Sequence, residues 1–139
     1  MIGLVLDTNV LVSALLNEEG LERRVFQLAL SEKFVWYVSD PILAEYQEEL
    51  RRKKFRIAPG LVDQVVARII KASVLVNPKH HLAVCSDESD NRFLECAEEV
   101  AAEFLVTGNK RHFPRSWKST AVINARELIE RAPAILKEF

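Results

Sequence analysis

Glycine and proline are scarce in this chain, four and five residues of 139. That scarcity excludes a collagen-like repeat and a Pro/Gly-rich disordered tract. Cysteine is scarcer still. Cys85 and Cys96 make no CxxC spacing, and the three histidines fall outside zinc patterns, so both thiols read as core or loop residues. No apolar run approaches the ~18–20 residues that a membrane-spanning helix needs. The opening Met1–Leu6 is apolar, but it is too short for a signal-peptide core and lacks a basic flank. A cytoplasmic location without a membrane partner is therefore expected. Positive charge is not in excess either. Nineteen basic residues face twenty acidic ones, a net charge of −1. This excludes a globally basic nucleic-acid binder and leaves room only for local patches.

What is present is a chain 49% hydrophobic and long enough for one core, so residues 1–139 are expected to form a single domain. No linker, repeat or low-complexity tract divides it. Ile2–Leu6 has the form of a strand buried on both faces, and Phe34–Val38 that of a second, aromatic and β-branched. Val74–Val76, Phe104–Val106 and Ala121–Ile123 are three more. Between them fall helices over Val10–Leu16, Leu21–Leu30, Pro41–Lys54, a stretch opened by Pro59, one capped by Ser86 or Asp87, and Ala125–Arg131. Strands alternating with helices predict an α/β fold, with a parallel sheet covered on both faces.

In such a sheet ligands bind beyond the carboxyl ends of the strands. Acidic residues recur there. Asp7 ends the first strand, and Asp40 follows the second with Glu45 one turn into the next helix. Asp87 and Asp90 open a later helix, and Thr107-Gly108-Asn109 end the fourth strand. Asp40 before Pro41 reads mainly as a helix cap, and capping is also open to Asp7 and Asp87. Glu45 lies at the border of its helix's apolar face, and Asp90 shares a row with Leu94, Ala97 and Ala101. A charge in a core-facing row must be paired, with an arginine for example, or must bind metal. Carboxylates that converge repel one another and take up protons unless a cation joins them. Oxygen ligands select hard ions, so Mg²⁺ or Mn²⁺ is expected, and such a site suits phosphoryl chemistry.

Two basic segments flank this edge. Arg51-Arg52-Lys53-Lys54-Phe55-Arg56 follows the Glu45 helix. Lys110-Arg111-His112-Phe113-Pro114-Arg115-Ser116-Trp117-Lys118 follows Asn109 and interleaves cations with aromatic rings, as single-strand-binding surfaces do. Arg51, Arg52, Lys53, Lys110, Arg111, Arg115 and Trp117 are the candidate nucleic-acid contacts. No histidine stands out as an acid or base, and His112 reads as a surface residue.

Four segments together resemble the motifs of PIN domains: Leu4-Val5-Leu6-Asp7-Thr8-Asn9, Ser39-Asp40-Pro41-Ile42-Leu43-Ala44-Glu45-Tyr46, Asp87-Glu88-Ser89-Asp90-Asn91-Arg92-Phe93-Leu94, and Val106-Thr107-Gly108-Asn109. They fall in order over nearly the whole chain and look most like the PIN proteins of prokaryotic toxin–antitoxin systems, relatives of the VapC-type toxins. The resemblance implies a three-layer α/β/α fold with a central parallel five-stranded sheet. It implies a Mg²⁺- or Mn²⁺-dependent endoribonuclease that hydrolyses RNA phosphodiester bonds by metal-activated water. It also implies a homodimer and an antitoxin protein as partner. Asp7, Glu45 and Asp90 match the family's metal-binding acids, with Asp87 and Asn109 as further candidate ligands and Asn9 and Thr107 as supporting polar residues. One departure stands out: the fourth motif often reads T-G-D, and here position 109 is asparagine. That loss of a charge motivates the alternative of a degenerate PIN domain that binds RNA or a protein partner without cleavage. A phosphatase resembling the haloacid dehalogenases is disfavoured because Asn9 stands where its acid/base aspartate belongs.

Overall fold

The computed structural model describes residues 1–137. Its strands are β1 (Ile2–Leu6), β2 (Phe34–Val38), β3 (Val74–Leu75), β4 (Phe104–Val106), β5 (Ser116–Trp117) and β6 (Thr120–Ile123). Its helices are α1 (Thr8–Leu16), α2 (Leu21–Leu30), α3 (Asp40–Leu50), α4 (Pro59–Ala72), α5 (Asn91–Val100) and α6 (Ala125–Lys137). One sheet runs in the order β3-β2-β1-β4-β6-β5.

The apolar run at the start of the chain explains the centre of that sheet. Consecutive strand residues point to opposite faces. Leu4, Val5 and Leu6 are all fully buried, so both faces of β1 are covered by helices. Parallel pairing joins Leu4 to Trp36 of β2 on one side and to Phe104 of β4 on the other. The core gathers around Trp36. Phe26 of α2 meets its ring edge-on at 5.9 Å, and Tyr46 of α3 lies 6.2 Å away.

Five strands are parallel, as expected from the sequence. The sheet has a sixth, however. β5 pairs antiparallel with β6 through Ser116–Ala121 and Trp117–Thr120. Two residues offer no alternation to read, and they sit among cations that resemble a loop. The chain reverses at Lys118, which takes a left-handed φ of 53°. Other boundaries also move. α1 begins at Thr8 rather than Val10, and α3 stops at Leu50, short of Lys54. A separate 3₁₀ turn covers Lys53–Phe55. β3 ends at Leu75 rather than Val76, and α6 passes Arg131 and continues through Pro133.

The chain builds β1, β2 and β3 outward on one side, then crosses back to place β4 on the other side of β1. The order of strands therefore reverses between β1 and β4, and the crevice beyond their carboxyl ends is where open α/β sheets bind ligands. Asp7 and Thr107 stand there. The Asp7 N–H donates to the Val106 carbonyl at 2.9 Å, and the Thr107 N–H to Ile123 at 2.9 Å. Below the crevice, the buried Tyr46 hydroxyl donates to the carbonyl of Leu6 at 2.6 Å and ties α3 to the end of β1. Tyr46→Phe removes that donor and should cost about 1–2 kcal/mol, read as a lower urea midpoint. An unchanged midpoint would show that this bond does not hold α3 in place.

Candidate active site

β1 and β4 deliver the first part of the site. Asp7 is 6% exposed, because the strand carries it to the edge of a fully buried centre. Its side chain does not cap α1. Instead its Oδ2 accepts from Thr107 Oγ1 at 2.7 Å and from Asn9 Nδ2 at 3.2 Å. Asn9 in turn accepts from the Gly108 N–H at 2.9 Å, and Thr107 Oγ1 accepts from the Asn109 N–H at 3.0 Å. The loop after β4 is thus laced to the acid that ends β1. A Cβ at Gly108 would stand 3.3 Å from Asn9 Oδ1, so a small residue suits this approach.

α3 brings the second acid. Ser39 is the residue that opens the helix, and Asp40 lies exposed in its first turn rather than at the cap, near the positive end of the helix dipole. One turn on, the half-buried Glu45 accepts from the hydroxyl of Thr8. The third acid, Asp90, lies in the 3₁₀ turn Glu88–Asp90 that leads into α5. Asp87 opens this turn and accepts from the Ser89 N–H at 3.1 Å, so it caps the 3₁₀ turn and not, as expected, α5 itself, which starts at Asn91. Asp90 has no arginine partner among the described residues, since Arg92 reaches Glu88 and Glu95 instead. Its Oδ2 is buried without a hydrogen bond, and His112 Nδ1 lies 3.7 Å from it.

A cleft of about 490 Å³ contains Asp7, Glu45 and Asp90 together with Asn9, Asp87 and Asn109. Thr107 is fully buried behind Asp7. Glu49, Phe55 and His112, none of them among the predicted site residues, also line this cleft. Glu49 is one helical turn from Glu45, a spacing that was readable. Phe55 arrives through the 3₁₀ turn, and His112 through the loop that Asn9 and Thr107 tether, so neither had a local signal. Another unforeseen residue is Asn91, fully buried. Its Oδ1 accepts from the N–H groups of Val84 and Cys85 at 2.9 and 2.8 Å, fixing the loop before Asp90.

The seven candidate nucleic-acid contacts lie outside the cleft, among the described residues. Arg51 pairs with Asp63 at 2.6 Å, Arg52 with Glu49 at 3.3 Å and Lys110 with Glu127 at 2.6 Å. Lys53 is exposed in the 3₁₀ turn. Trp117 is half-buried in β5 and donates from Nε1 to Glu98 at 3.3 Å. Lys110, Arg111 and Arg115 border a second hollow, of about 530 Å³, with Phe113 and Pro114.

The electrostatics of the cleft follow from burial and crowding. Burial raises the Asp7 carboxyl from its ordinary 3.8 to about 6, with help from the charge of Glu45 and against the hydrogen bond from Thr107. Asp90 also rises to about 6, through burial first and then the charges of Asp7 and Asp87. Glu45 rises through burial, with Asp90, Glu49 and Asp87 adding repulsion. The two thiols are kept protonated, Cys85 at about 11 and Cys96 at about 12, chiefly by burial. Among the described residues, no three His, Cys, Asp or Glu side chains are already gathered to hold a metal ion. The donors nonetheless fit a hard divalent cation in kind. They are oxygens, they repel one another, and Asp90 Oδ2 is buried with nothing to bond.

The fold and site define an α/β protein with an acidic cleft at the reversal of strand order. Comparison with known proteins makes this specific. The PIN domain family matches residues 3–111. The chain is 37% identical over 113 residues to the uncharacterized protein MJ1680 of Methanocaldococcus jannaschii, covering 78% of this chain and 72% of the relative. The chain belongs to the PIN domain family, whose members are generally nucleases. Its fold is also similar to that of a chain in the crystal structure of VapBC2 from Rickettsia felis bound to a DNA fragment from their promoter. The TM-score is 0.59 at 18% identity, covering 88% of this chain and 98% of that one. Among the described residues no helix is long and apolar enough to cross a membrane.

A stability test follows from Asp7. The native state holds its proton more tightly than the unfolded chain does. The group's stabilising contribution is therefore complete below pH ~4 and lost as pH rises through about 6. Asp7→Asn removes the buried charge and leaves an oxygen for Thr107. It should stabilise the protein at neutral pH by about 1–3 kcal/mol, with the gain disappearing near pH ~4. Urea unfolding at the two pH values measures this, and a loss of stability at neutral pH would contradict it.

Proposed function

We propose that this chain is a metal-dependent endoribonuclease, the toxin of a toxin–antitoxin pair. The observation that carries the reading is the convergence of Asp7, Glu45 and Asp90 on one cleft beyond the ends of β1 and β4. Family membership supports the nuclease class. The exposed cations Lys53, Arg111 and Arg115 suit a phosphate backbone.

Asp7, Glu45 and Asp90 are the residues that would hold Mg²⁺ or Mn²⁺, with Asp87 and Asn109 in reach of the same cleft. When bound, such a cation supplies Lewis acidity toward a phosphate and lowers the pKa of water. The protein's own part is positional. Thr107 and Asn9 fix the Asp7 carboxylate, and Thr8 fixes Glu45. Asn91 anchors the loop that presents Asp90. The cations beyond the cleft bind the RNA strand and lead its phosphates toward the acids. A small antitoxin protein covering the cleft, a homodimeric state and a cytoplasmic location belong to the same reading. The Rickettsia felis complex gives the antitoxin its precedent.

An end-labelled RNA pool tests this reading. Purified protein should cut it with Mn²⁺ or Mg²⁺ and not with chelator. Asp90→Asn should lose at least about 100-fold in rate. Mn²⁺ should also raise the melting temperature of wild type and leave that of Asp90→Asn unchanged, a readout independent of cleavage. Metal-independent cutting that survives in Asp90→Asn would overturn the proposal.

Asn109 lines the cleft with an uncharged amide, and this observation favours the second reading, an RNA- or protein-binding PIN domain without cleavage. Asn109→Asp separates the two. It should tighten Mn²⁺ binding and raise the cleavage rate about 10-fold or more. Unchanged metal affinity and rate would show that position 109 is not a ligand. RNA binding without cutting by wild type would select the second reading.

A further inference from the structure

We propose that Phe55 is a stacking platform for a nucleobase of the single-stranded substrate, set at the lip of the acidic cleft. The proposal rests on the nuclease reading above. Among the described residues, Phe55 is the only Phe, Tyr or Trp that lines the cleft. The aromatic residues of the later basic segment sit elsewhere. Phe113 is buried at 8% exposure, and Trp117 lies outside the cleft with its Nε1 donating to Glu98.

Phe55 is held as a platform should be. It closes the 3₁₀ turn Lys53–Phe55, and its half-buried ring packs on the core, which fixes its position. The next residue, Arg56, adopts a left-handed φ of 55° and turns the chain away. Lys54 places its Nζ 5.0 Å from the ring centroid, so a ring face is open to a solvated group. A base can take the place of that ammonium, which is then free to meet a phosphate. Lys53, Lys54 and Arg56 are exposed around the ring. Leu16, 51% exposed, lines the same cleft with Val12. The cleft therefore has an acidic centre, an apolar wall and a cationic lip. A phosphate drawn to the acids brings its base along, and the wall offers that base a π-face. Base–aromatic stacking with adjacent cations is how proteins hold single strands without reading sequence.

Three variants and two probes test this. Single-stranded oligo(A) and oligo(U) are bound to wild type, Phe55→Trp, Phe55→Leu and Phe55→Ala by fluorescence anisotropy, with Ca²⁺ in place of Mg²⁺ or Mn²⁺. Stacking predicts that wild type prefers oligo(A), the larger π-surface. Phe55→Leu keeps the apolar volume and loses the ring, so it should weaken oligo(A) binding about 5- to 100-fold and erase the preference. Phe55→Ala should behave alike, and Phe55→Trp should bind as wild type or tighter. In Mn²⁺-dependent cleavage, Phe55→Leu should raise KM more than it lowers kcat. If Phe55→Leu binds both oligomers as wild type does, the platform is overturned and the nuclease reading stands. If wild type binds neither oligomer and cuts no RNA, both fall together.

Discussion

Asp7 stands at the carboxyl end of the central strand with 6% of its surface exposed, where a charge is costly. Much of the molecule is arranged around that position. β1 carries the acid there because Leu4, Val5 and Leu6 are wholly buried and keep the strand central. Thr107 and Asn9 bond its Oδ2 and, through the same side chains, tie down the loop after β4. Tyr46 closes α3 onto the last carbonyl of β1, and the same helix supplies Glu45. The site is thus built from backbone geometry first. The strands fix where the acids stand, and hydroxyl and amide groups fix how they point.

Three carboxylates in one cleft raise one another's affinity for protons, and burial raises it further. A protein has little reason to carry that cost for stability, since well-packed apolar residues would do better. Perturbed acids in a cleft are more often functional. Under the proposed function the same repulsion that disfavours the empty site favours a divalent cation. The near-neutral net charge is compatible with this role because the charges are separated. Acids fill the cleft, and cations are concentrated in the 3₁₀ turn before α4 and around the hollow bordered by Lys110, Arg111 and Arg115.

Much of this architecture was legible in the sequence, for identifiable reasons. Short fully apolar runs gave β1 and β4, and Ser39-Asp40-Pro41 marked the start of α3 within one residue. The acids that follow strands could be found because an α/β sheet binds ligands at one known edge. Residues whose role depends on tertiary approach were not legible. β5 consists of two residues and owes its existence to β6. His112 reaches Asp90 only because its loop is laced to Asp7 through Asn9 and Thr107. Asp90 and Ala101 were assigned to one helical row. Asp90 instead lies in a 3₁₀ turn ahead of α5, and Ala101 ends that helix exposed, at a φ of 50°. Phe55 read only as one residue of a flanking basic segment, because nothing in six residues announces that a turn will press one of them against the core.

Asp7, Glu45 and Asp90 are proposed to share one divalent cation. Crystals soaked in Mn²⁺ at neutral pH, with data collected at the manganese absorption edge, address this directly. One dominant anomalous peak is expected in the cleft, ligated by oxygens of those three residues. A dominant peak elsewhere, or a cleft without one in crystals that bind Mn²⁺ at other sites, would contradict it.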